Sequence, residues 1–194
     1  MAITISGSGI TSANIADGTI VNADVADVAA SKLTGALPAI SAANLTGLTS
    51  AQMPAGSVLQ VVSVPFHTSY YNANSSSRTD ITNFAATITP RSTSSKILVM
   101  VYASMNLDCD GRMGYARNGT QIFDNMLGTH RSLEANDQST YAAQHLDSPN
   151  STSAVVYQIY TIASGCANDV WINRSASGSR DNGRSGITLM EIAG

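Results

Sequence analysis

Charge is the first thing this 194-residue sequence lacks. Asp, Glu, Lys and Arg make up 12% of it, about half the share of an ordinary soluble domain. Lysine nearly vanishes: Lys32 and Lys96 stand against eight arginines. Ser, Thr, Asn, Gly and Ala fill the surface positions that Lys and Glu usually take. The net charge of −3 provides no basic face for nucleic acid and no basic cluster for a lipid surface. No apolar run approaches the roughly 18 to 20 residues that cross a bilayer. Met1 to Ser6 has neither a basic n-region nor a continuous h-region, so no signal peptide is expected. Synthesis and assembly in a host cytoplasm follow, with release by lysis or inside an assembly. Such a composition suits a rigid virion or extracellular protein better than a cytosolic enzyme.

Catalytic and metal-binding patterns are also missing. Cys109 and Cys166 are the only cysteines. They sit in no CxxC pair and have no histidine near enough for zinc, so reduced, mostly buried thiols are expected. His67, His130 and His145 accompany no recognisable nucleophile motif. Asp108-Cys109-Asp110-Gly111 lacks the spaced oxygens and closing Glu of a calcium loop, and reads as a turn. Glu134, Asp124, Asp137 and Asp147 single out no glycosidase pair. Neither catalysis nor a cofactor or metal is expected.

Residues 1–56 contain no Phe, Tyr or Trp and only four charged residues. What they do contain is a period. Ile5, Ile10, Ile15, Ile20 and Val25 recur every fifth residue, and Ile40 and Leu45 return in the same phase. A helix needs apolar spacing of three and four, a half-buried strand spacing of two; five fits neither. So lean a segment cannot offset its own ordering entropy as a single chain. Register is useful only if neighbouring copies complete the interior. These residues are therefore read as the core of an extended shaft built by several chains. Ala26 to Leu37 has room for one or two helical turns, which Gly35 and Pro38 would end. Pro54 and Gly56 mark a boundary, giving a shaft or attachment segment at 1–55 and a head at 56–194.

The head reads as short strands between turn residues. The pattern places strands at Val58–Val64, Ile81–Ile88, Lys96–Ser104, Arg112–Arg117, Thr120–Met126, Tyr141–Leu146, Ala154–Ile162, Val170–Arg174 and Ile187–Ile192. Asn118-Gly119 has the signature of a two-residue type I′ hairpin turn. Ser69 to Arg78 is expected to be a polar loop. Nine strands without a convincing helix predict an all-β, antiparallel sandwich of jelly-roll type. Ala154–Ile162 is apolar on both faces. One face can line the core, and the other asks for cover that a neighbouring subunit would supply.

Two exposed segments carry recognition chemistry. Tyr70 and Tyr71 sit among small polar residues, and Arg174, Arg180 and Arg184 sit among Gly and Ser. Aromatic faces and guanidinium forks are groups that hold glycans and acidic sugars.

The phrase Ile10-Thr11-Ser12-Ala13-Asn14-Ile15-Ala16-Asp17-Gly18-Thr19-Ile20 resembles repeats of bacteriophage tail fibres. Gly56-Ser57-Val58-Leu59-Gln60-Val61-Val62, Ala86-Thr87-Ile88-Thr89-Pro90 and Ser94-Ser95-Lys96-Ile97-Leu98-Val99 resemble the C-terminal head of phage fibre-like proteins, especially of marine and cyanobacterial phages. The resemblance implies a homotrimeric virion fibre with a β-sandwich head; its motifs are structural and transfer no binding residue. The expected partners are sister chains, other virion proteins at the N-terminal segment, and a host glycan or lipopolysaccharide at the loops. A capsid decoration protein without a receptor is the alternative, and a glycan-degrading enzyme a third.

Overall fold

The chain divides into two compact units, Met1–Thr46 and Gly47–Gly194. A computed structural model describes residue 16 and residues 52–73, 75–107, 110–127, 138–164, 169–175 and 183–194. Ile5, Ile10, Ile15, Ile20, Val25, Ile40 and Leu45, the expected shaft core, lie outside the described residues. So do the helical turns expected at 26–37, both cysteines and Arg180.

The second unit is all-β. Its strands are β1 (Val58–Phe66), β2 (Tyr70–Ala73), β3 (Thr79–Ile88), β4 (Lys96–Leu107), β5 (Asp110–Arg117), β6 (Thr120–Leu127), β7 (Ser139–Asp147), β8 (Val155–Ser164), β9 (Asp169–Ile172) and β10 (Ser185–Ile192). The nine strands expected from the pattern are present, most of them longer than the pattern gave. The segment Ser69–Arg78 is not simply a loop. Its first residues form β2, because Tyr70 to Ala73 find a partner in β9 that no local pattern announces. Asp110 and Gly111 likewise open β5 rather than close a turn.

All strand pairs are antiparallel and lie in two sheets. One contains β1, β10, β4 and β7, extended by β9 and β2; the other runs β3-β8-β5-β6. The pairs β1–β10, β3–β8, β4–β7 and β5–β6 nest around the turn at Asn118-Gly119. That turn has φ of 48° and 83°, the two positive values that a type I′ hairpin requires and that Asn and Gly tolerate.

The inner faces of both sheets meet in one core. β4 contributes Ile97, Val99, Val101, Ala103 and Met105, and β8 contributes Val155, Tyr157 and Ile159. Phe66 and Phe84 stack between the two sheets, with centroids 4.5 Å apart and planes within 2°. This is the arrangement of a β-sandwich.

The second face of β8 finds its cover inside the chain, contrary to the expectation that a neighbour supplies it. Tyr160 is 0% and Ile162 7% exposed. The Arg78 guanidinium lies 5.1 Å from the Tyr160 ring centroid, held there by Asp80 at 2.7 Å and by the Gly119 carbonyl at 2.6 Å. The Tyr160 hydroxyl donates to the Phe123 carbonyl at 3.1 Å. Pairing requirements within a local window could not reveal that a loop folds back over this face.

The second unit has two distinct ends. The chain enters β1 beside its own last residues: Gly56 donates to the Ala193 carbonyl, and Ala193 to the Ser57 carbonyl, each at 2.8 Å. At this end lie the β3–β4, β5–β6 and β7–β8 connections. The β2–β3, β4–β5, β6–β7, β8–β9 and β9–β10 connections leave from the opposite end. β1 alone has nine residues, so the ends stand about 30 Å apart at roughly 3.3 Å per residue.

Candidate functional site

β9 and β10 behave as one strand with a loop cut into it. Both run along the same edge of β4: β10 pairs with Lys96–Tyr102 and β9 with Met105–Leu107. Between them the Asn173 amide donates to the Ser104 carbonyl at 2.8 Å, which keeps the ladder in register. β1 and β2 form a second interrupted strand beside it, since Phe66 pairs with Ser185 and Tyr70 with Ile172. The interruption at 174–184 is where the sequence concentrates its Arg, Ser and Gly.

The neck of that loop is a buried polar cluster. Asn173 is 1% exposed and adopts a φ of 59°, a left-handed value that Asn tolerates better than most residues. Its Nδ2 donates to the carbonyls of Phe66 at 2.8 Å and Thr68 at 3.1 Å, filling the gap between β1 and β2. Its Oδ1 accepts from the Ser185 hydroxyl at 2.7 Å. The same hydroxyl oxygen accepts from the Ser104 amide at 3.1 Å. A Cβ at Gly183 would come within 2.6 Å of the Asn173 Cα and 2.8 Å of both Gln138 Nε2 and Ser104 Oγ. Only glycine fits so close a crossing. Nε of Arg174 and Nε2 of Gln138 are buried without an acceptor among the described residues. The neck is therefore rich in donors, the complement of an oxygen-rich ligand.

The expected recognition residues occupy this end of the sheet in different roles. Tyr71 is 47% exposed and stacks on Trp171 with centroids 5.6 Å apart. Tyr70, next to it, turns toward the core. Its hydroxyl stands 3.5 Å from Thr161 Oγ1, and burial raises its pKa above the usual 10.0. Arg174 is half-buried just past β9, and Arg184 is exposed just before β10. The topology thus gathers Tyr71, Trp171, Arg174 and Arg184 around one loop. Trp171 was missed as a site residue; the signal was its place as the only tryptophan, three positions before the arginine-bearing segment. Asn173 and Ser185 carried no signal, because their partners are remote in sequence.

A second polar cluster lies between the sheets. Tyr115 and His145 are hydrogen-bonded through the hydroxyl and Nδ1. The Tyr157 hydroxyl donates to Asp147 Oδ2 at 2.7 Å, and Arg117 Nη1 donates to both Asp147 oxygens at 2.9 Å. Tyr115 and Tyr157 are 0% exposed. Burial, then the Asp147 charge, pushes the Tyr115 hydroxyl well above its ordinary value. Burial, then the hydrogen bond to Asp147, does the same for Tyr157. These phenols are held neutral and shielded from solvent, so the cluster joins β5, β7 and β8 rather than offering a nucleophile. Among the described residues no group of three or more His, Cys, Asp or Glu side chains could hold a metal ion, and no helix is long and apolar enough to cross a membrane. No protein-family model matches this chain, and no curated protein matches it.

Proposed function

We propose that this chain is a structural fibre protein of a bacteriophage virion. It acts as a homotrimer whose N-terminal segment attaches to the particle and whose head, a jelly roll, meets the host surface. The observation that carries the reading is the polarity of the second unit. The chain enters at one end among tight connections, and the Tyr71–Trp171 pair and the arginine-flanked loop sit at the other. A fibre needs this separation, because the end joined to the particle cannot also face the host. The nested strand pairs support the jelly-roll reading. The period of five at residues 5–45 supports assembly from several copies.

The ligand class this end suits is a glycan or lipopolysaccharide: an aromatic pair for sugar faces and guanidinium donors for acidic oxygens. The full chain titrated with host lipopolysaccharide should change the fluorescence of Trp171. Tyr71→Ala with Arg184→Ala should weaken that binding about tenfold or more. Immunogold labelling of intact particles should place the chain at a fibre tip. Labelling spread over the capsid shell, with no lipopolysaccharide or glycan bound, would replace this reading with a capsid decoration protein.

A further inference from the structure

Three strands read as apolar on both sides, and the fold covers the second side of only one of them. β8 is covered from within the chain, but β1 and β4 share an outer face with β10 and β7 that nothing among the described residues covers. Register lays this face out in rows of four. The first row is Val61, Met190, Leu98 and Leu146; the second is Ser63, Thr188, Met100 and Gln144. In the third, the Tyr102 ring lies against Gly186, where a Cβ would come within 2.8 Å of it. Val61, Leu146 and Tyr102 are 53%, 47% and 42% exposed. A cleft of about 410 Å3 opens between Tyr102, Met100 and Gln144.

We infer that this face is where the heads of sister chains meet around the axis of the trimer, a deepening that rests on the homotrimeric fibre reading above. Three features favour a second copy of the same surface over a different partner. The three rows contain no charged side chain, so setting the face against itself brings no like charges together. Ser63 Oγ and Thr188 Oγ1 satisfy each other at 2.9 Å, so covering them strands no hydroxyl. The area also selects the number of copies. Twelve outward positions at about 4.8 Å between strands and about 6.8 Å along them cover about 390 Å2. Two such faces remove about 780 Å2, the size of a crystal contact, whereas three remove about 1,200 Å2, the threshold of a stable interface. A glycan or another virion protein has no need of a face so devoid of charge.

The test uses the full chain. Val61→Glu with Leu146→Glu changes two side chains that a single chain leaves exposed, so the strand signature in circular dichroism should persist. Assembly should weaken on the order of a hundredfold, because each trimer would bury six carboxylates. Val156→Glu, at a position 38% exposed on the other sheet, should leave assembly unchanged. If the Glu pair loses its strand signature, Val61→Thr with Leu146→Thr takes its place and should weaken assembly in the same direction. A wild-type trimer whose folded double variant sediments and melts unchanged would overturn the face and leave the homotrimer standing. A wild-type monomer at micromolar concentration would overturn both.

Discussion

The Ser185 hydroxyl donates to Asn173 Oδ1 at 2.7 Å, joining two residues that bracket an eleven-residue excursion (174–184) from one continuous ladder along β4. The bond closes the loop that bears Arg174, Arg180 and Arg184. It lets that loop vary without disturbing the strand on either side, an economical way to mount recognition residues on a rigid frame.

Asn173 should therefore be among the least tolerant polar positions in the head. Asn173→Ala removes two donors and an acceptor from a buried cluster and places a Cβ-bearing residue at a φ of 59°. The expected loss is about 3 kcal/mol. Asn173→Gly loses the same bonds but relieves the backbone, and should be milder by about 1 kcal/mol. Urea denaturation of the two variants measures the difference; equal stabilities would show that the left-handed backbone costs nothing here.

Asp147 holds β5, β7 and β8 together by accepting from Tyr157 and Arg117. Replacing it with Ala leaves a buried phenol and a partly buried guanidinium unpaired. We expect a loss of about 3 kcal/mol, recovered in part by a second change, Tyr157→Phe. A double-mutant cycle reads the coupling directly, and additivity of the two changes would refute it.

Acid should act first through Glu191. This side chain is 0% exposed. Burial alone would raise its pKa, but the Ser95 hydroxyl, the Arg91 amide and the Gln60 amide, with the Arg91 charge, outweigh burial and hold it below the usual 4.5. The Gln60 and Arg91 bonds are both 2.6 Å. Because the folded pKa is depressed, its stabilisation is present above the unfolded value and disappears as pH falls through the folded one. Melting temperature should drop below about pH 4.5 in the wild type. The slope should be shallower in Glu191→Gln, which should also be weaker at neutral pH by about 1 to 2 kcal/mol.

The N-terminal period makes its own prediction. Ile15→Asp would place a charge on each copy of a shared apolar line, at a cost of several kcal/mol per trimer, on the order of the penalty for burying an unpaired carboxylate. Sedimentation should show dissociation or a frayed assembly while circular dichroism retains the strands of residues 57–194. Unchanged assembly and melting would mean that the isoleucines are not internal.

The sequence by itself determined the strands. Alternation and apolar runs at Lys96–Ser104 and Ala154–Ile162, with Asn118-Gly119 as the tip of a hairpin, are local facts of steric preference and period. They led to an all-β unit of antiparallel sheets. Tyr71, Arg174 and Arg184 were also legible as surface chemistry, because aromatic and guanidinium groups among small polar residues have little other use. Tertiary structure decided which apolar faces remain open. Arg78 and its loop close over Tyr160 from some eighty positions away in the chain, while Val61, Met190, Leu98 and Leu146 align across four strands and stay uncovered. It also decided that Tyr70 faces inward while Tyr71 meets Trp171, and that Asn173 and Ser185 close a loop. Those outcomes depend on which strands become neighbours, and local sequence does not record a register set by contacts more than a hundred residues apart.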